Sequence, residues 1–109
     1  MARDPGLEEL LRDMLGPLPG LAEKAMFGGR AWLLDGNLLC GAGSKGMLVR
    51  LGKGNDGWAL EHPAIQRMEM RGRLLEGWVR AGPEAFGDDE VREKLLDGAI
   101  TFVKSLPPK

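Results

Sequence analysis

Short apolar runs separated by turn signals fill the middle of the chain, and helical patterns stand at both ends. Between residues 25 and 52, three apolar runs are separated by Asp35-Gly36-Asn37 and by the glycine-rich residues 41–46. An Asp-Gly pair between apolar runs is a strong hairpin signal, because tight primed turns need the positive φ that glycine tolerates. The pattern predicts an antiparallel meander with strands at about residues 24–34, 38–42 and 47–51.

Two further strands are predicted after residue 64. Met68 and Met70 alternate with charged residues, a period of two that favours a strand over residues 65–72. Residues 74–80 are predicted to form the last strand. Ahead of both, Asp56 is expected to cap a short helix over residues 57–61, which ends at His62-Pro63.

Amphipathic helices are predicted at the two ends of the chain. Asp4 can cap a helix that begins at Pro5, and its apolar face comprises Leu7, Leu10, Leu11 and Met14. Asp88 can cap a second helix, whose main apolar stripe comprises Val91, Leu95, Ala99, Phe102 and Leu106. The pattern therefore predicts a two-layer α+β fold. An antiparallel sheet of about five strands would carry the N- and C-terminal helices on one face.

The composition indicates one globular domain over residues 1–109, with 43% apolar and 28% charged residues. No apolar run is long enough to span a membrane, and the first residues lack the apolar segment of a signal peptide. We therefore expect a cytoplasmic protein that does not bind membranes.

The chain has few of the residues that usually serve in catalysis or metal binding. Cys40 is the only cysteine and His62 the only histidine, too few for a Cys/His zinc site or an internal disulfide. A Cys40–His62 nucleophilic pair stays open as an alternative, but a thiol in an apolar strand usually acts as a small hydrophobe. We expect no enzymatic activity, no catalytic residues, no metal and no cofactor.

Gly41, Gly43 and Gly46 match the dinucleotide-binding pattern G-x-G-x-x-G. That function needs the last glycine to open a helix, whereas here it opens a short strand-like run. A hairpin loop is the preferred interpretation. A small-molecule site at residues 41–46 is kept as one alternative function.

Basic residues concentrate in the predicted sheet. Residues 24–80 contain nine Lys/Arg against five Asp/Glu, although the whole chain has a net charge of −1. The candidate partner or nucleic-acid surface comprises Arg30, Arg50, Arg71, Arg73 and Arg80, with Lys45 and Lys53 in adjoining loops. A solvated sheet face explains the same pattern, and a pI near 5.8 argues against direct DNA binding.

Tryptophans and methionines could add to such a surface. Trp32, Trp58 and Trp78 would form a stacking platform only on one exposed face, and their irregular spacing favours core or interface packing instead. Met26, Met47, Met68 and Met70 are interpreted first as core residues. If helices leave one sheet face uncovered, methionines there would favour a partner surface.

The segment Met26-Phe27-Gly28-Gly29, followed by an apolar strand, a turn and Leu38-Leu39-Cys40, resembles the N-terminal domain of the TfoX (Sxy) competence-regulator family. The likeness continues through Gly77-Trp78-Val79 to the last helix and covers nearly the whole chain. It implies an α+β fold with an antiparallel sheet, helices on one side and a link to co-regulation of DNA-uptake genes. It brings no catalytic motif, so Met26, Phe27, Gly28 and Gly29 carry over as signature positions with a structural role.

Three functions are consistent with these observations. The first is a non-enzymatic regulatory or protein-interaction domain whose partner is unknown and which can form a homodimer through a sheet edge or an uncovered face. The second is a nucleic-acid-binding accessory domain that uses the basic sheet residues. The third is the small-molecule-binding domain at residues 41–46.

Overall fold

The computed structural model describes residues 4–26 and 28–109, which form a six-stranded antiparallel sheet and four helices. In chain order these elements are α1 (Pro5–Leu15), β1 (Leu21–Met26), β2 (Gly29–Leu34), β3 (Asn37–Gly43), β4 (Gly46–Arg50), α2 (Gly57–Leu60), β5 (Ile65–Met70), β6 (Arg73–Ala81), α3 (Pro83–Phe86) and α4 (Asp89–Lys104). The strand order across the sheet is β1-β2-β3-β4-β6-β5. The predicted α+β class, antiparallel sheet and terminal helices are confirmed.

The predicted first strand over residues 24–34 is wrong, because this segment is a hairpin of two strands. β1 pairs with β2 from Leu21 opposite Leu34 to Met26 opposite Gly29. Gly28 has a φ of +75°, a conformation that turns the chain and that residues with a side chain rarely adopt. The two glycines therefore mark a turn rather than a bulge inside one strand, and the sheet has one strand more than expected.

The glycine-rich loop predicted at residues 41–46 is also shorter than expected. β3 continues to Gly43 and β4 begins at Gly46, so only Ser44 and Lys45 lie outside the strands. Gly41 pairs with Leu48 within the ladder. Small residues favour a turn in sequence-based prediction, but here they continue the backbone pairing.

Both predicted caps of the long helices are confirmed. The Asp4 carboxylate accepts a hydrogen bond from the Leu7 N–H, at 3.1 Å. The Asp88 carboxylate accepts from the N–H groups of Glu90 and Val91, at 3.0 and 3.2 Å. The short helix α3, which no sequence pattern predicted, precedes α4.

The core lies between the helices and one face of the sheet. Leu7 and Leu11 of α1 and Leu95 of α4 are buried there against the sheet. The strands contribute Trp32, Cys40, Val49 and Val79, and the short helices contribute Ala59 and Ala85. All four helices therefore pack on the same face.

The opposite face, here called the outer face, carries the alternate residues of the strands. It comprises Met26, Ala31, Leu33, Leu38, Leu48 and Arg80. Ala31 and Leu48 are buried, whereas Met26, Leu33 and Leu38 are half-buried. Among the described residues no helix covers the outer face. Apolar side chains on an uncovered sheet face favour its use as a partner surface.

The end of the β5–β6 hairpin extends beyond its neighbouring strand. β4 pairs with β6 only from Trp78 to Ala81, but β5 and β6 stay paired as far as Met70 opposite Arg73. Residues 68–75, here called the hairpin arm, therefore have sheet partners only within the arm. Arg71 and Gly72 form its tip with φ values of +54° and +78°.

Candidate interaction surface

The hairpin arm presents large apolar side chains to solvent. Leu74 is 62% exposed and Met70 is 40% exposed, more than any other large hydrophobic side chain in the described part of the chain. Arg71 and Arg73, which stand next to them, are exposed as well. The arm therefore combines apolar contact area with positive charge.

A hollow of about 720 Å³, here called the basic groove, lies along the edge strand β5 and is also lined by residues of the arm, of α2 and of the outer face. Four of its lining side chains are cationic: Lys45, Arg67, Arg71 and Arg80. Leu60 and Leu74 add apolar surface, and Gln66 and Glu69 complete the lining. Of the five arginines predicted as a partner surface, two meet in this groove.

Arg80 is the least exposed cation of the basic groove. Burial lowers the pKa of its guanidinium, because the charged form loses hydration. Its register neighbours are Leu48 of β4 and Gln66 of β5, which carry no charge. Within residues 4–26 and 28–109, Arg80 makes no ion pair and no side-chain hydrogen bond. It is a half-buried cation without a partner of its own.

Arg67 is positioned by a buried carboxylate. The Asp56 side chain is 4% exposed and accepts a hydrogen bond from Arg67 Nε at 3.2 Å and from the Gly77 N–H at 3.0 Å. Burial alone would raise the pKa of Asp56, but these two hydrogen bonds outweigh it and the pKa is lowered. The ionised carboxylate holds Arg67 beside the groove.

Arg30, another of the predicted surface residues, lies in a separate charge cluster. Its Nε is 3.1 Å from a carboxylate oxygen of Glu23, which also binds Arg12 of α1 through contacts of 2.8 and 2.9 Å. The hydrogen bond from Arg12 lowers the pKa of Glu23 and raises that of Arg12. These contacts join β1, β2 and α1, and they give Arg30 a carboxylate neighbour that it shares with Arg12.

Arg50 makes cation–π contacts with two aromatic rings. Its guanidinium carbon lies 5.0 Å from the Trp78 ring centre and 5.5 Å from that of Phe102, within the range of cation–π contacts. Trp58 has a similar contact with Lys94 at 4.4 Å, and Trp32 is buried in the core. The three tryptophans lie in separate environments and do not share a stacking platform.

The family-signature positions lie at the β1–β2 turn. Met26 ends β1 on the outer face, and Gly28 has the positive φ that the turn requires. A Cβ at Gly29 would collide with the carbonyl oxygen of Ala42 in β3. Phe27 lies outside the described residues. At both glycines the backbone geometry disfavours a side chain, and their role as family-signature positions stays a prediction.

Cys40 and His62 each have a structural environment. Burial raises the pKa of the Cys40 thiol to about 12, so the thiol stays protonated at neutral pH. His62 Nδ1 accepts a hydrogen bond from the Ala64 N–H at 3.0 Å, within the turn that leads to β5. Nowhere in the described residues do three or more His, Cys, Asp or Glu side chains gather as metal ligands would.

The third predicted site, at residues 41–46, offers little space apart from the side of Lys45 that lines the basic groove. The cavity beside it, lined in part by Met26, Gly41 and Leu48, has a volume of about 20 Å³. Small-molecule sites typically enclose about 300–1,000 Å³. The tight pairing of β3 and β4 leaves room for about one water molecule there.

Sequence reasoning missed the contact between Asp56 and Gly77. Asp56 was expected to cap α2, but its side chain makes no hydrogen bond to the start of that helix. It reaches β6 instead, across 21 residues of chain. The sequence Gly54-Asn55-Asp56-Gly57 has the appearance of a local cap, and no local signal identifies a partner so far away.

No protein-family model matches the chain, and no curated protein or solved structure is significantly similar to it. The resemblance to the TfoX family therefore stays a prediction that depends on the residues quoted for it. No helix in the described ranges is long and apolar enough to cross a membrane.

Proposed function

We propose that this chain is a non-enzymatic regulatory domain that binds another protein through the outer face and the hairpin arm. The observation that carries the proposal is the one-sided packing of the helices, which leaves Met26, Leu33 and Leu38 half-buried on an uncovered face. Leu74, at 62% exposure, extends this apolar surface onto the arm. Exposed apolar surface rimmed by polar residues is typical of protein interaction sites.

Charge favours a different protein over a second copy of this chain as the partner. Lys24, Arg80 and the cations of the basic groove give this side of the molecule a positive character. A two-fold dimer formed through it would place the same patch on both subunits and oppose like charges. A homodimer would use the edge strand β1 instead, where backbone groups are free to pair.

The regulatory part of the proposal comes from the resemblance to the TfoX N-terminal domain. Full-length members of that family act as co-regulators of transcription of DNA-uptake genes, a task that depends on contacts with other proteins. The one-sided α+β fold agrees with that expectation. Competence regulation, a cytoplasmic location and the absence of enzymatic activity all belong to this proposal.

A capture experiment with matched variants tests the proposal. Wild-type protein, Leu38→Glu and Leu10→Glu would be immobilised and exposed to the same cell extract. Leu10 is 38% exposed on α1, away from the outer face, so its substitution is the control. We expect a specific protein to be captured by wild type and by the control and lost with Leu38→Glu. Capture that Leu38→Glu leaves unchanged, or no specific capture at all, contradicts the proposal.

Nucleic-acid binding is the second candidate, since four cations line the basic groove. A phosphate backbone bound there would give an affinity that falls steeply with salt. Titration with single- and double-stranded oligonucleotides at low ionic strength tests it. Absence of salt-sensitive binding eliminates this candidate.

A further inference from the structure

We infer that the basic groove binds a short acidic segment of the protein partner, in which a carboxylate pairs with Arg80 and a neighbouring apolar side chain packs on Leu74. This inference rests on the proposed function and names the chemistry of the partner. Because it concerns a groove that can be probed with synthetic peptides, it can fail while the proposed function stands.

Arg80 is the central residue of the proposed peptide site. Among the predicted surface arginines, Arg30 is paired with Glu23 and Arg50 is stacked on two rings, but Arg80 has neither kind of partner in the described ranges. A guanidinium that has lost part of its hydration gains most from a carboxylate that accepts two parallel hydrogen bonds. The burial that lowers the pKa of Arg80 also shields such a pair from water.

The other cations extend the site in two directions. Lys45 stands at the β3–β4 turn, and Arg71 stands at the tip of the hairpin arm, and both line the same hollow as Arg80. Arg67 already donates from Nε to Asp56 and is thereby held at the groove wall. Charges distributed along the hollow fit a segment with several carboxylates better than a single anion.

The rest of the lining favours a peptide over a nucleic acid. Leu60 and Leu74 offer apolar contacts that a phosphate backbone cannot use. Binding of single-stranded nucleic acid relies on stacking with aromatic rings. Trp32 is buried, the rings of Trp58 and Trp78 face cations, and no aromatic side chain of the described residues lines the groove.

Calorimetric titration of the full chain with synthetic peptides tests the inference. The probe is the blocked octapeptide Glu-Glu-Leu-Glu-Asp-Leu-Glu-Glu, and its control replaces each Glu by Gln and the Asp by Asn. A decamer of deoxythymidine tests the nucleic-acid alternative. At low ionic strength we expect binding of the acidic peptide alone, weakened by added salt.

Variants locate the binding site. Arg80→Met keeps the packed length of the side chain without its charge, and we expect it to lower the affinity by about tenfold, the loss of one charge-assisted hydrogen-bonded pair. Lys104→Gln removes one positive charge from the exposed end of α4, outside the groove and the arm, and should change the affinity by less than about twofold. Arg71→Asn, which suits the positive φ at the tip, provides a second groove variant if Arg80→Met does not fold.

Three results would overturn the inference. The first is that the acidic peptide does not bind, and the second is that wild type and both groove variants bind it equally. The third is that the oligonucleotide binds instead of the peptide. If the peptide fails while capture of a cellular protein still depends on Leu38, only the acidic-segment inference is lost. If both experiments fail, the proposed function is lost with it.

Discussion

The Asp56 carboxylate accepts a hydrogen bond from the backbone N–H of Gly77 at 3.0 Å, and this contact connects the β4–α2 segment to the middle of β6. The Gly77 carbonyl in turn accepts from the N–H groups of Leu51 and Gly52, at 2.8 and 3.1 Å. Gly77 falls between the two parts of the β5–β6 register, where β6 has extra residues. The contact thus satisfies backbone groups that the interrupted ladder leaves without strand partners.

Asp56→Ala should destabilise the fold by about 3 kcal/mol, because a buried N–H and a guanidinium lose their acceptor. Urea unfolding followed by circular dichroism measures the change. Asp13→Ala is the control, since Asp13 is exposed on α1 and its removal should change stability by less than about 0.5 kcal/mol. Equal stability of the two variants would show that the contact contributes nothing.

The contribution of the Asp56 carboxylate to folding stability should depend on pH. The folded-state pKa of Asp56 lies below its ordinary value of 3.8, so its ionised form favours folding. That contribution is fully present above about pH 4 and is lost as the pH falls through the folded-state pKa. The stability difference between wild type and Asp56→Asn should therefore shrink between pH 6 and pH 2, as measured by urea unfolding at each pH. A constant difference across that range contradicts the assignment.

Gly77→Ala should be far more damaging than Gly54→Ala, although both glycines have nearly the same φ, +84° and +86°. A Cβ at Gly77 would lie 2.5 Å from the Gly52 carbonyl carbon and the Lys53 nitrogen, whereas nothing lies within 4 Å of one at Gly54. Gly54→Ala should cost about 1 kcal/mol for the left-handed backbone alone. Gly77→Ala should cost at least about 3 kcal/mol because the backbone must also move. Thermal and urea unfolding of the two variants provide the comparison, and similar losses would contradict the close approach.

The Cys40 thiol should resist modification in the folded protein. It is fully buried, and its pKa of about 12 leaves almost no thiolate at pH 8. Iodoacetamide at pH 8, followed by mass spectrometry, should leave the native chain unlabelled and label it once in denaturing urea. Rapid labelling of the native protein would show that the thiol is accessible and would reopen the Cys40–His62 hypothesis.

Much of the fold was predictable because its signals are local. The caps at Asp4 and Asp88 and the apolar stripes of the two long helices depend on spacings of a few residues. Spacings of a few residues also identify the turn at Asp35 and Gly36 and the period of two in β5. The prediction of one strand over residues 24–34 was wrong for an equally local reason. Gly28 and Gly29 are compatible with a bulge and with a turn, and only the pairing of β1 with β2 decides between them.

By itself, the sequence determined the α+β class, the positions of the terminal helices and the presence of a basic central segment. Periodicity and capping are properties of neighbouring residues, and composition sets charge. Only the tertiary structure decided which arginines remain available, because their partners come from distant elements. Glu23 pairs with Arg30, the rings of Trp78 and Phe102 lie against Arg50, and Arg80 has no such partner among the described residues. The proposed interaction surface is thus defined by the groups that the described part of the folded chain leaves unpaired.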